Sequence, residues 1–295
     1  MHTYEPSRTA EYMALFRAVE TSEPPSRRLF EDPYAVPLLS GKLQALARIA
    51  YLPVIGRVVR AFLDFGWPRT RSSGVIRTRL IDDLVRESLQ SGIEQFVLLG
   101  AGFDSRPYRL VEAAGVRTFE LDHPATQRAK RDRLKTQLKI APTNVRFVET
   151  DFEKDNLESK LKNAGYDQAM PALVIWEGVV SYLSESAVDA NLVLLSNLLA
   201  AKSRLIVTYV HRGALDGSLT FPNARRWRWW VRRGGEPFLF GFDPATLANR
   251  LARYGFELQS DLSTADAAKH YCAANGRYES GSEFYRVACM IRKRT

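Results

Sequence analysis

Apolar and polar positions divide this chain into two regimes. From about residue 95 onward, short near-continuous apolar runs such as FVLL and ALVIW alternate with longer stretches whose apolar positions recur at helical spacing. Runs of that kind read as strands buried on both faces. They predict strands over 95–99, 117–121, 145–149, 173–176, 204–210, 256–259 and 284–291, with amphipathic helices between them, among others over 125–138 and 186–200. Strands alternating with helices argue for a parallel, doubly wound α/β sheet. The last strand follows a long irregular stretch and is expected as an antiparallel edge strand.

The first third, residues 1–86, carries a different pattern. It is mostly helical and is broken at Pro24, Pro25, Pro33, Pro37, Pro53 and Pro68. Tyr12, Leu15, Phe16 and Val19 recur at helical spacing, the stripe of a packed helix. This region is expected as a helical cap on a core formed by 87–295. A second insertion, about 211–242, separates the fifth strand from the next helix.

Composition narrows the class. The 295 residues are 45% hydrophobic and 25% charged, enough apolar content for a sizeable core in one large domain. The formal net charge of +9 is spread along the chain and reads first as solvated surface. Cys272 and Cys289 are too few for a disulfide framework and are expected reduced. His2, His123, His211 and His270 have no metal-ligand spacing, so no metal is expected. The N-terminus lacks an apolar signal core and no run approaches a membrane span, which makes a cytoplasmic location the default expectation.

The first buried strand runs directly into Gly100-Ala101-Gly102. Glycines there permit a tight turn and close approach to a ligand. The next predicted strand ends in FELDHP, which places Glu120 and Asp122 about 20 residues past the turn, where an acid accepts hydrogen bonds from ribose hydroxyls. Asp122 is the better placed of the two. A nicotinamide-dependent oxidoreductase is the obvious competitor, but its third glycine is replaced by Ser105. Asp104 beside the turn would repel a pyrophosphate and could face an ammonium, which favours S-adenosylmethionine.

In this order, VLLGAGFDSRPYRL, FELDHPATQRAK, VETDF and IWEGVVSYLS resemble the leucine carboxyl methyltransferase family. The resemblance is strongest to its actinobacterial branch of S-adenosylmethionine-dependent enzymes, related to tetracenomycin-type polyketide methyltransferases. SRTAEYMALFRAVE, RRLFEDPYA and EPFLFGFDPATLANRLARYGFEL extend the likeness over nearly the whole chain. It implies the class I methyltransferase fold, a Rossmann-like seven-stranded sheet with a reversed last strand, and S-adenosyl-L-methionine as cofactor. Arg77 in GVIRTRLIDD matches the arginine that pairs with the methionine carboxylate. Gly100 and Gly102 match the turn beside the methionyl part, Asp122 the ribose acid, and Asp151 with Phe152 the pair that holds the adenine. Glu177 matches a glutamate at the donor's methionyl end. Among Trp176, Val179, Val180 and Tyr182 an unpaired carboxylate is costly, so Glu177 is expected to pair with the donor's ammonium. The family's turn commonly continues Asp-Thr-Arg, whereas this chain has Asp104-Ser105-Arg106, which keeps the hydroxyl.

The acceptor side is less legible. A carboxylate acceptor needs no base, whereas a phenol or alcohol gains from one. The weak candidates for catalytic groups are His211, at the end of the fifth strand, and Tyr182, which with Trp176 either faces the sulfonium or packs in the core. Residues 223–235, NARRWRWWVRRGG, read as an amphipathic basic helix: Trp227, Trp230 and Val231 on one side, five arginines and Trp229 on the other. A lid is the plain reading, with membrane-surface contact or capture of an acidic acceptor as alternatives. Residues 52–67, apolar with Arg57 and Arg60, are expected to wall the acceptor pocket with it. The sequence thus reads as an O-methyltransferase acting on a carboxylate or hydroxyl of a small molecule or peptide. Nucleic-acid binding or modification, prompted by a pI near 9.6, and a donor-binding protein without turnover are the other readings. No RNA-recognition or helix-turn-helix signature supports the first of these. Acceptor identity and oligomeric state stay open.

Overall fold

The computed structural model describes residues 6–139, 142–152, 154–233, 235–274, 276–277 and 279–293; His2 lies outside them. Four helices come first: α1 (Arg8–Thr21), α2 (Gly41–Ile49), α3 (Pro53–Gly66) and α4 (Thr70–Gln90). Then follow β1 (Gln95–Leu99), α5 (Arg106–Arg109), β2 (Arg117–Asp122), α6 (Pro124–Arg133), β3 (Val145–Glu149), α7 (Leu157–Asn163), β4 (Ala172–Trp176), α8 (Glu185–Leu198) and β5 (Arg204–Val210). The chain closes with α9 (Arg212–Asp216), α10 (Ala224–Arg233), α11 (Pro244–Ala252), β6 (Phe256–Ser263), α12 (Thr264–Ala274) and β7 (Tyr285–Arg292).

The seven strands form one sheet in the order β3-β2-β1-β4-β5-β7-β6. β1 to β5 pair in parallel, while β7 runs antiparallel to both β5 and β6. The reversed last strand is therefore interior, where the sequence pattern placed it at an edge: β6 forms the edge and β7 fills the gap beside β5. The predicted start of β6 is right, but the strand continues past 259 to Ser263 through a register shift between Leu258 and Ser260. Such a bulge breaks the alternation by which a strand's extent is read.

Burial on both faces explains the apolar runs. All five residues of β1 and of β4 are buried. Val97, Leu99, Val174 and Trp176 enter the cluster that also holds residues of α7, α8 and α11; Phe96, Leu98, Leu173 and Ile175 enter the opposite one, with α4 and α12. Trp176 is thus a core residue. The helix predicted over 125–138 ends as α6 at Arg133 and continues as one π turn, Leu134–Leu138, up to Lys139 in a left-handed conformation. Both cysteines are buried and free.

The first four helices pack against the sheet and its loops. Ala14, Leu15, Ala18 and Val19 of α1 share a cluster with Phe103 from the turn after β1 and Leu134 after α6. α4 lies against the β1–β4 face through Val75, Ile76, Ile81 and Val85. Among the described residues no helix is long and apolar enough to cross a membrane.

Candidate active site

The site forms at the carboxyl ends of β1, β2, β3 and β4, where a doubly wound sheet opens a crevice. The turn after β1 is pinned to β2: the amides of Gly100 and Ala101 both donate to the Leu121 carbonyl, at 2.9 and 3.0 Å. Gly100 has φ of +73°, and a Cβ there would lie 2.5 Å from Val179 Cγ2. Glycine is therefore required by the backbone and by the β4 loop packing on it. A Cβ on Gly102, φ +47°, would come 3.0 Å from Ala10 Cβ, so α1 closes directly over the turn.

The side chains around this turn form a buried ionic network. Glu177, one residue past β4, holds Arg77 Nε at 2.7 Å on one carboxylate oxygen and Arg106 Nη1 at 2.7 Å on the other. Arg106 also binds Asp104 at 2.5 Å and Asp82 at 2.8 Å. Asp82 takes a second guanidinium, Arg109, at 2.6 Å. Arg109 Nε lies 3.9 Å from Asp32, which binds Arg17 at 2.7 Å. The Ser105 hydroxyl donates to the same Asp32 oxygen at 2.6 Å, a structural use of the hydroxyl at the position where the family commonly has threonine. Four carboxylates (Asp32, Asp82, Asp104, Glu177) thus meet four guanidiniums (Arg17, Arg77, Arg106, Arg109) in a set of zero net charge. Burial alone would raise the Glu177 pKa, but Arg106 and Arg77 hold it below its ordinary value. Burial is likewise overcome at Asp104, which Arg106, Arg17 and Lys130 bring down to about 2.

This corrects one expectation. Glu177 is not an unpaired carboxylate among apolar neighbours; two arginines already compensate it. Arg77 is buried on α4 as well, with Nη1 donating to the Tyr285 hydroxyl at 2.8 Å and, among the described residues, Nη2 meeting the Met13 thioether at 3.2 Å.

Asp122 closes β2. Its carboxylate accepts from the backbone amides of Gly102 and His123. Burial raises its pKa against those two donors. Glu120, the alternative acid, is fully buried and committed to Lys130 at 2.7 Å and to the Tyr108 hydroxyl at 2.7 Å. Asp151 follows β3, and Thr150 N donates to the Asp122 carbonyl at 2.8 Å, which brings the two acids' loops together. The Asp151 carboxylate accepts from Lys154 at 2.9 Å, and Asn156 rather than Asp151 caps the next helix. Phe152 packs against the β1–β4 core.

The insertion covers this end of the sheet. Trp227 of α10 stacks on Tyr285 at 5.4 Å and 15°, directly behind Arg77. Trp230 packs on Trp67 at 5.8 Å, and Trp67 on Tyr12 at 5.5 Å, so α10 bridges to α1 and the end of α3. Tyr182 packs on Phe238 at 5.4 Å and is half-buried; desolvation, with Tyr285 and Glu236 nearby, pushes its hydroxyl pKa far up. It keeps its proton at neutral pH and is a donor, not a base. His211 stands apart. Its Nδ1 accepts from Gly213 N at 3.0 Å to cap α9, and it lines a depression with Phe221, Asp266 and Arg286. Its ring packs on Phe221 at 5.1 Å, Phe221 on Phe284 at 6.1 Å, and Phe284 on Trp227 at 5.0 Å.

Of the residues expected at the site, Arg77, Gly100, Gly102, Asp122 and Glu177 lie together here, with Asp151 and Phe152 on the neighbouring loop. The network also draws in Arg17, Asp32, Asp82 and Arg109, which were not expected there. The signal for Asp82 was present: it shares the buried stripe of α4 with Val75, Thr78, Val85 and Leu89, and a charge in an apolar stripe requires a partner.

A dinucleotide reading fails on the same geometry. The amide of Arg106, which opens α5 and would meet a pyrophosphate, donates instead to Asp104 Oδ1 at 2.8 Å. The strand order with its reversed β7, together with the acid-lined crevice, defines a class I methyltransferase fold. A solved Thermobifida fusca structure, titled a candidate methyltransferase, superposes with a TM-score of 0.61 over 98% of this chain and 96% of its own, at 18% identity. A Streptomyces avermitilis protein of the duf574 family gives 0.57 over 94% and 100%, at 15% identity. The family model described as leucine carboxyl methyltransferase matches residues 10–196, and this chain belongs to that family. A Mycobacterium marinum protein named as a candidate S-adenosyl-L-methionine-dependent methyltransferase is 30% identical over 91% of this chain and 86% of its own length. A Streptomyces coelicolor protein of the same description is 38% identical over 48% of this chain, a stretch that spans only half of that protein.

Proposed function

We propose that this protein transfers the methyl group of S-adenosylmethionine to a carboxylate oxygen of a small-molecule or peptide acceptor. The observation that carries the reading is the pairing of Arg77 with Glu177 at the end of β4, beside the glycine turn. The residues fit the donor. Arg77 Nη2 faces a thioether, a poor acceptor for a buried guanidinium, and a carboxylate is a far better one. Asp122 has a donor on each oxygen and spare lone pairs for ribose hydroxyls. Arg77 would hold the methionyl carboxylate, Glu177 with Asp104 the ammonium, Asp122 the ribose, and Asp151 with Phe152 the adenine. The donor's amino-acid end is a zwitterion, so it enters the neutral network without changing its charge.

The donor supplies an electrophilic methyl on a sulfonium. The acceptor oxygen attacks that carbon in line, the carbon–sulfur bond breaks, and the thioether leaves with the electron pair. An acceptor carboxylate becomes an ester and sheds no proton, so the site needs no base. That agrees with Tyr182, which stays protonated, and with His211, whose Nδ1 is taken up by the Gly213 amide. The protein's part is alignment and exclusion of water, which α1 and α10 provide by closing over the turn and Arg77. Calorimetry with S-adenosylmethionine and its thioether product should show binding; none would overturn the donor assignment. Labelled methyl groups transferred to acceptors should be released by mild base as from an ester, and a base-stable label would assign a hydroxyl instead.

A further inference from the structure

α3 turns a row of large apolar side chains to solvent. It buries Gly56, Val59 and Leu63 and ties Arg60 to Glu23 and Asp64 to Arg71. Val54, Ile55, Val58, Phe62 and Phe65 face outward, with Phe62 64% and Phe65 79% exposed. Ile55, Val58, Phe62 and Phe65 fall at i, i+3, i+7 and i+10, a single helical face. Isolated exposed apolar residues are ordinary, but a contiguous face of this size on a soluble surface marks an interaction site.

The neighbouring element decides what covers it. α10 reads ARRWRWWVRR and contains no acid. Arg226 joins the two helices, donating to the Phe65 carbonyl at 2.9 Å at the end of α3. Arg225, Arg228, Trp229 and Arg232 recur at i, i+3, i+4 and i+7 and line an open depression of about 540 Å³ with Pro237 and Phe238. Trp229 is itself 52% exposed. A second copy of the chain docked face to face would oppose arginine with arginine. A surface of anionic head groups above an apolar layer matches both features: phosphates for the arginine depression, acyl chains for Phe62 and Phe65, and the interface for Trp229.

We infer that α3 and α10 form a docking surface for anionic lipid bilayers, with the arginine depression as a phosphate head-group site. It holds the mouth of the crevice under the lid against the bilayer. The surface uses none of the residues assigned to the donor, so it stands or falls independently of the methyl-transfer reading.

The test is co-sedimentation of the full chain with vesicles of phosphatidylglycerol and phosphatidylcholine against vesicles of phosphatidylcholine alone. Binding should require the anionic lipid and fall as salt rises. Phe62→Ser with Phe65→Ser should abolish it, and Arg225→Gln with Arg232→Gln should weaken it roughly fivefold per arginine. Both pairs should leave the circular dichroism spectrum and thermal midpoint unchanged, which separates loss of docking from loss of fold. Three results would overturn the inference: no binding to anionic vesicles, equal binding to neutral ones, or self-association in sedimentation equilibrium that Phe62→Ser with Phe65→Ser removes.

Discussion

Arg77 and Glu177 are a structural ion pair to which the proposed reading gives a second role, holding the donor. In the crevice each compensates the other across 2.7 Å, and Arg106 shares the load on Glu177. A zwitterionic ligand exchanges one internal ion pair for two ligand pairs, so affinity depends on both charges being present. Arg77→Ala should therefore weaken S-adenosylmethionine by at least about thirtyfold in calorimetry, the cost of truncating one partner of a buried charge pair. Arg77→Lys should recover part of it, since an ammonium keeps the charge and loses the fork. The same network sets the acid stability. Asp104 falls from its ordinary 3.8 to about 2 in the fold, because Arg106, Arg17 and Lys130 outweigh its burial. A carboxylate with a depressed folded pKa contributes stability that is fully present above its unfolded pKa and is lost as pH drops through the folded one. Asp32 and Glu177 are lowered as well and act in the same direction. Glu120 and Asp122, raised by burial, act oppositely. Wild-type stability should therefore fall between about pH 4 and pH 2, and Asp104→Asn should flatten that limb in denaturant titrations. An identical slope in the variant would remove Asp104 from the account.

At the level of elements, α10 matters for what stands behind it. Trp227 stacks on Tyr285 and meets Phe284 edge-on at 5.0 Å, and the Tyr285 hydroxyl accepts from Arg77. Trp227→Ala should cost about 2–3 kcal/mol in thermal denaturation, less than a fully buried tryptophan because the ring is half-buried. It should also raise KM for the donor more than it lowers kcat, by loosening Tyr285 behind Arg77. What was legible in the chain follows the same line of reasoning. β1, β3 and β5 match the predicted bounds because an apolar run buried on both faces has no competing pattern. The α10 face was legible too: Trp227, Trp230 and Val231 are half-buried and Trp229 is exposed, as the helical wheel requires. The interior place of β7 was not, because strand order depends on contacts between segments far apart in the chain. Nor were the partners of Glu177. Local sequence shows Trp176, Val179 and Val180 around it, while Arg77 arrives from a helix 100 residues earlier.

The whole molecule is tied together by charges that span its parts. Of the eight groups in the buried network, Arg17, Asp32, Arg77 and Asp82 come from residues 1–86, and Asp104, Arg106, Arg109 and Glu177 from the sheet and its loops. Arg277 reaches Glu20 of α1 from the other side, and Ser7 N donates to Thr126 at 3.1 Å. Buried pairs of this kind return little more than their desolvation costs, so their main consequence is registry: each fixes where the helices sit on the sheet. If the first four helices detached, Arg109 would lose both its carboxylates, Asp82 and Asp32, and Glu177 one of its two arginines, while Phe103, Leu98 and Ile175 lost cover. We propose, therefore, that residues 1–86 and 87–295 unfold together. Calorimetry of the full chain should give one transition with van't Hoff and calorimetric enthalpies that agree. Two transitions would show that the helices are a separable domain. Asp82→Asn should test the coupling directly. It leaves Arg109 and part of Arg106 buried without a full counter-charge, a loss of about 3–5 kcal/mol. If the network sets registry for the whole molecule, that loss should lower a single transition; if it holds only the helices down, the variant should split the transition in two.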